Sequence, residues 1–527
     1  MMSSPHARAI LYSVIVALGG LIFGLDAVLI SGGVDQIREE FGLSDWWLGF
    51  AVSAPGFGVL LALLLTGWLC NSLGRKKTLL LIAFLYVLSA IWSTVAPSYW
   101  QLVVARLLGG LAFTSLSLGP MYIGEIAPAR LRGKLVAINQ INTVIGLSGA
   151  YFINLAILNA SQSTAPWLQS LNIGDNLWRY MLGSEILPAL IWFLLLFLIP
   201  ESPRWLLFRG RDAEAKEALR RIVPEEEVDT QIEEMRQGID EETKDLPVMT
   251  QIAELLGSGL RIAVLVGATI AIAQQATGIN AIYFYAPTVF KQLGYDANAA
   301  FMQAAVMGVV SLVFALLALS VVDSLGRRPV AVLGFLWIIA SLGLCAYGFS
   351  QAKYELTDEA LAALPEEADA GALRELVGKP FGSDIEFKEA IGETIGVDEA
   401  RKHESALLEG SVELPAGLIV AGILSFIAAF QFSVGPVMWI LLSEIFPTSV
   451  RGVAIPLFHF ITGVTSYLVQ LLFPVALSTF GAATVFASFV AIPLVGLLVL
   501  YVYLPETKNL SIEEIHEAFT KKSQPAV

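Results

Sequence analysis

Charge is what this 527-residue chain has least of: 15% of its residues are Asp, Glu, Lys or Arg, against roughly a quarter in a soluble globular protein. Cysteine is almost absent as well. Cys70 and Cys345 lie in or at the ends of apolar runs, so no disulfide framework is expected. Four histidines offer little material for a metal centre. No Walker loop, zinc-ligand spacing or nucleophile elbow occurs. A membrane enzyme is therefore not expected, and no cofactor or metal site is called. Long polar tails are missing too: about 22 residues follow Pro505 and about eight precede the first apolar run. Neither tail is long enough to form a domain, which argues against a receptor that signals through one. The basic clusters are short and scattered, and no nucleic-acid partner is expected.

Long apolar runs are what the chain has in abundance. It is 56% apolar, with a mean hydropathy of +0.70. Stretches such as 10–29, 186–199 and 485–504 are nearly devoid of charge. About 20 apolar residues in a helix cross the ~30 Å hydrocarbon layer. By that criterion twelve segments span: near 9–31, 47–70, 78–96, 101–122, 135–158 and 180–199, then 261–290, 300–322, 329–350, 415–442, 453–477 and 483–504. The first is too long, and too soon followed by another, to be a cleaved signal. The expected fold class is an all-α membrane protein with the lipid bilayer as its surroundings.

Orientation follows from the short loops. Arg75-Lys76-Lys77, Arg130/Arg132/Lys134, Arg327-Arg328 and Arg451 all fall on one side, predicted to be cytoplasmic together with both termini. The formal charge of −14 does not oppose this, because the acidic excess sits in two long polar segments. Residues 351–416 carry 16 acidic against 6 basic side chains, and 201–250 carry 14 against 8. Long segments follow or stay largely regardless of charge.

The chain repeats itself. Gly74-Arg75-Lys76-Lys77 returns as Gly326-Arg327-Arg328-Pro329. Glu125-Ile126-Ala127-Pro128, then Arg132-Gly133, returns as Glu444-Ile445-Phe446-Pro447, then Arg451-Gly452. Pro200-Glu201-Ser202-Pro203 and Pro505-Glu506-Thr507 close the two copies. Three motifs in the same order mark two related six-helix halves. The divisions expected are 1–200, a helical linker at 201–260, and 261–527. From Gly74 to Glu125 is 51 residues, but from Gly326 to Glu444 is 118. The surplus of 67 coincides with a polar insertion at 352–413 on the non-cytoplasmic side. Its Glu-, Ala- and Leu-rich pieces predict short helices, in either a solvated loop or a small cap.

These motifs, with RLLGG at 106–110, Gln274-Gln275-x4-Asn280 and Gly435-Pro436-x2-Trp439, resemble the sugar porter family of the major facilitator superfamily over nearly the whole chain outside the insertion. That resemblance implies twelve helices in two pseudo-symmetric bundles, with alternating access around a midplane site. It also implies carriage of a monosaccharide or polyol by a protein of the inner membrane, here expected to be monomeric.

Asp26 lies inside the first run and Arg106 in an otherwise apolar helix. A carboxylate at that depth costs about 2.5–3.5 kcal/mol on insertion scales, so it demands a reason. The pair has the ingredients of a proton switch, or of a static ion pair between helices. Bacterial proton-coupled members of the family carry Asp and Arg at matching positions, which places this chain with the symporters and makes H+ the expected coupling ion. A facilitator that works without protons is the nearest alternative.

Sugar hydroxyls need partners, and amides supply donors and an acceptor without charge. Gln140, Gln274, Gln275 and Asn280 match the family's sugar-contacting amides, and Trp439 its ring-packing tryptophan. Phe23, Tyr285 and Thr462 complete the expected lining. Amides also bridge helices in membranes, and that reading stays open. Gly278 between Gln275 and Asn280 suggests a helix opened at a cavity. Three positions depart from the family: Ser311 where an Asn is usual, Thr462-Gly463 in place of an amide and a Trp, and Phe284 in place of a Tyr. Gln431 or His459 are candidates to compensate, His459 more readily as a helix contact. By resemblance, Arg75, Glu125, Arg132 and Glu201, with Arg327, Glu444, Arg451 and Glu506, form the cytoplasmic gate, although arginines there also serve orientation.

Overall fold

A computed structural model describes residues 5–508 apart from 129, 243–246, 363, 365–369, 404–406 and 409–410, together with 510, 514–515 and 519. Among the described residues eleven helices are long and apolar enough to cross a bilayer. The last of them, Thr448–Tyr503, has 56 residues. At 1.5 Å per residue it would run about 80 Å, more than twice the hydrocarbon core. It is broken at Gly481, whose φ of 74° is open chiefly to glycine. The chain thus crosses twelve times, in two bundles, as a multi-pass membrane protein. The spans start and stop within a few residues of the expected positions, the first at Pro5–Gly32 and the sixth at Gly174–Leu198. Between the bundles lie the short helices Pro203–Phe208, Asp212–Arg220, Val228–Glu242 and Val248–Leu255.

Small residues let the spans approach closely. The first span lies along the fifth (Arg132–Ser161) with Gly24 against the Thr143 carbonyl and Gly146 against the Leu21 carbonyl. A Cβ at either position would collide with backbone. In a bilayer, where apolar surface gains nothing by leaving lipid, such close van der Waals contact is what holds helices together.

The apolar packing has a direction. One continuous core joins Leu25–Ile30, Leu48, Tyr151 and Trp178 of the first bundle to Tyr283, Phe426 and Phe486 of the second. A separate core, with Tyr86 and Tyr122 of the first bundle and Trp205 of the linker, takes nothing from the second bundle and lies toward the arginine-rich face. The halves are fused away from that face and parted toward it.

The insertion holds the short helices expected, among them Asp358–Ala362 and Ala370–Leu373, and adds a three-stranded antiparallel sheet in the order β2-β1-β3, formed by β1 (Lys353–Glu355), β2 (Pro380–Phe381) and β3 (Val412–Glu413). Helix Asp384–Ile395 packs on it. Tyr354, Leu356, Leu373, Phe387, Ile391, Leu407 and Leu408 give it a core of its own. It is therefore a small folded cap.

Candidate functional site

Asp26 sits on the last turn of the first span, with its side chain 6% exposed. Arg106, 2% exposed, reaches it from the fourth span and donates from Nη1 to Oδ1 at 2.7 Å. A longer bond of 3.4 Å runs to the Asp26 carbonyl. A third charged residue completes the cluster. Glu185, in the sixth span, is 3% exposed and within electrostatic reach of both partners. Gly109 opens the room: a Cβ there would crowd Ser89 Oγ and approach Asp26 Oδ2. Two carboxyls therefore face one guanidinium out of water. The set reaches neutrality only with one proton bound, and a buried uncompensated charge is expensive.

The amides gather in the second bundle. Thr277 ends one helix and Gly278, with φ 79°, starts the next, so the seventh span is opened where the sequence suggested. The ring of Phe489 occupies the space where a Cβ of residue 278 would stand, so glycine is required there twice over. Around this break Gln275 Nε2 donates to Gln274 Oε1 at 3.0 Å, and Asn280 Nδ2 donates to Gln275 Oε1 at 2.8 Å and to Ser466 Oγ at 2.7 Å. Gln470 Nε2 also donates to Ser466 Oγ, at 2.8 Å. Gln274 reaches the Gly435 carbonyl at 3.4 Å. Gln140 is exposed on the fifth span. Trp439 is 37% exposed and stacks on His459, ring centroids 4.4 Å apart. His459 thus makes the helix contact expected of it.

The other expected lining residues are committed elsewhere. Phe23 packs edge-on against Phe113 at 4.5 Å. Thr462 donates to the Phe458 carbonyl one turn below it. Tyr285 is buried against Phe473, its hydroxyl 3.4 Å from the Gln470 carbonyl. Gln431 donates to Tyr283 Oη, which pairs with Ser311 at 2.8 Å. Ser311 and Gln431 therefore form a bridge between spans. Ser466, Gln470 and Glu185 escaped sequence reasoning. Each offered a signal: polar groups one helical turn apart in a span, and a carboxyl inside an apolar run.

Side-chain bonds between the halves run from the middle of the bundle away from the arginine-rich face. They include Ser148 Oγ to the Gly308 carbonyl, Tyr151 Oη to the Tyr283 carbonyl, and Asn298 to Gln162. Near the arginine-rich face Met121 is 46% exposed and Gly124 and Gly133 look onto open space.

The family model for "Sugar (and other) transporter" matches residues 12–362 and 405–519. The chain belongs to this family. It is 31% identical to the arabinose-proton symporter of Bacillus subtilis (strain 168), over 97% of this chain and 95% of that one. It is 29% identical to the D-xylose-proton symporter of Escherichia coli (strain K12), covering 99% of each. The inward-open structure of the E. coli xylose transporter XylE superposes with a TM-score of 0.72 at 26% identity, covering 96% of this chain and 98% of that one. Such relatives are transporters rather than enzymes.

In this transporter the expected gate residues pair within halves. Arg75 donates to Glu125 Oε1 at 3.1 Å, and Arg327 to Glu444 Oε1 at 3.2 Å. Glu201 accepts from the Lys76 amide, and Glu506 from the Arg327 and Arg328 amides. Both carboxylates thereby satisfy orphan donors at the start of a span. Gly74 and Gly326, with φ 94° and 93°, turn the chain into these sites. Thr507 Oγ1 donates to Glu444 Oε2 at 2.6 Å. Arg451 donates to the Phe446 carbonyl, and Arg132 is exposed.

Proposed function

We propose that this transporter carries a monosaccharide or polyol in symport with protons by alternating access, from the arginine-poor side to the arginine-rich, cytoplasmic side. The observation that carries the reading is the buried set Asp26, Arg106 and Glu185, which is one proton short of neutrality. It shares the molecule with a cluster of neutral amides at the break in the seventh span and a part-exposed tryptophan face. Amides bind hydroxyls at no cost in charge, while the acid cluster takes and releases the proton. The names of the relatives, arabinose-proton and D-xylose-proton symporters, support the same pairing of cargo and ion.

In this reading Gln140, Gln274, Gln275, Asn280 and Trp439 hold the cargo, joined by Ser466 and Gln470. Phe23, Tyr285 and Thr462 shape the walls behind them. The Arg75–Glu125 and Arg327–Glu444 pairs, with Glu201, Glu506, Arg132 and Arg451, are the parts from which the cytoplasmic face closes. The protein works as a monomer in the inner membrane with both termini cytoplasmic. Reconstitution in liposomes under an imposed pH gradient, with labelled hexoses, pentoses and inositols, tests it. Uptake of one of these above the equilibrium level is expected. Uptake that only equilibrates, whatever the gradient, sinks the proton-coupled reading.

A further inference from the structure

The face opposite the arginines holds a cavity of about 580 Å³ bounded by three parts of the chain. From the first half come Asp35, Arg38 and Asp45, around the short helix Val34–Phe41. From the second come Tyr285, Lys291 and Phe473. The folded insertion supplies Lys388 and Leu408. Across this cavity Lys291 Nζ lies 2.5 Å from Asp35 Oδ2, and Thr288 Oγ1 donates to Asp35 Oδ1 at 3.3 Å. The ion pair joins the two halves. Arg38, beside it, is held by Asp45 at 2.8 Å.

The position of Lys291 gives the pair leverage. It ends helix Ala286–Lys291, which continues helix Ile279–Phe284 after a kink at Tyr285 and so shares a segment with Asn280. Holding Lys291 against the first half fixes the outer end of the segment whose inner end carries the amide site. The pair is half-buried, with side-chain exposures of 19% and 45%, so water screens it only in part. Burial works against the Asp35 charge, but the Lys291 ammonium, Arg38 and the Thr288 hydroxyl outweigh it and hold the carboxyl below its usual range. The wall above the pair is tied to the second half, because Asp384 of the insertion accepts from the Ala482 amide and lies against Gly481 at the start of the twelfth span.

We infer that Asp35 and Lys291 are positioning residues of the transport cycle: they form a latch on the non-cytoplasmic face, made when the site opens to the cytoplasm and broken when it opens outward. This rests on the alternating-access reading but not on the identity of the cargo. Coupling between two sites typically changes an equilibrium by roughly 5- to 150-fold.

The test uses two thiol reporters in the full chain, whose native Cys70 and Cys345 are both buried. Leu48→Cys lies in the wall of the outer cavity and is 1% exposed; Met121→Cys lines an open pocket beside Arg75 and Glu125 on the arginine-rich face. Impermeant maleimide is applied from each side of membrane vesicles, with no substrate present. Asp35→Asn and Lys291→Met should each speed labelling at residue 48 by about tenfold and slow it at residue 121. The swap Asp35→Lys with Lys291→Asp should return both rates toward the parent. Thr288→Val, a milder change, should move both reporters the same way by a smaller factor. Folded variants that leave both rates unchanged, or a swap that fails to restore them, overturn the latch. Because no cargo enters the assay, that failure is separate from a failure of the sugar-symport reading.

Discussion

Replacing Asp26 by Asn changes one charge and almost no volume. The amide keeps an oxygen where Arg106 Nη1 now finds Oδ1 at 2.7 Å, and Glu185 remains nearby to balance the guanidinium. The count is then one carboxylate against one guanidinium, neutral with no proton bound. The variant should fold, bind cargo and exchange it, yet have no site for the coupling ion. One proton per sugar across a gradient of one pH unit supplies about 1.4 kcal/mol, or tenfold accumulation. Proteoliposomes with a one-unit gradient should therefore concentrate cargo about tenfold with the native chain and reach a ratio near unity with Asp26→Asn. Counterflow exchange should survive in both. Glu185→Gln makes the same charge count from the other side and should give the same ratio. If either variant still accumulates cargo like the parent, the proton is bound elsewhere and the neutrality argument fails.

Asn280→Ala removes the amide that reaches Ser466 and Gln275, leaving a cargo hydroxyl unpaired at about 1–3 kcal/mol. KM in zero-trans uptake should rise about tenfold or more, and an unchanged KM would remove Asn280 from the site. Asp384→Ala strips the acceptor from the Ala482 amide, a loss of about 1 kcal/mol typical of a helix cap. Hydrogen exchange at 482–485 should quicken several-fold, and unaltered protection would mean that the cap is held by its apolar contacts alone. The latch should also show a pH signature. Asp35 is held below the usual carboxylate range, with Lys291 and Arg38 facing it and Glu39, Asp45 and Lys388 around the same cavity. A depressed carboxyl contributes fully above its unfolded value and is lost as pH falls through the folded one. The labelling difference between Asp35→Asn and the parent at residue 48 should thus persist from neutral pH through the ordinary carboxylate range and vanish only below it.

How much of this was legible in the sequence depends on length scale. Runs of twenty apolar residues announce a span by themselves, and the repeated Gly-Arg and Glu-x-x-Pro motifs announce two halves. The break at Gly278 was readable because a glycine between amides inside a span has few other uses. The sheet of the insertion was not readable, since strands of two or three residues are shorter than any periodicity can register. Nor was the commitment of Thr462, whose hydroxyl satisfies its own helix, a choice that depends on what stands opposite. Glu185 has no basic residue within a helical turn of it in the sequence to mark it as one of a charged set. The missing partner was two spans away in sequence and adjacent in space. Arg132 reads like its repeat partner Arg451, yet one is exposed and the other turns back onto the Phe446 carbonyl.

The chain of bonds from Gln274 through Gln275, Asn280 and Ser466 to Gln470 has a consequence for selectivity. These groups already satisfy one another without a guest. A guest that enters must replace every partnership it disturbs, so molecules poor in hydroxyls are rejected without any steric barrier. Polyhydroxylated guests meet a surface that surrenders its internal bonds at little loss. In the proposed reading, the site filters on hydrogen-bonding capacity before it discriminates by shape.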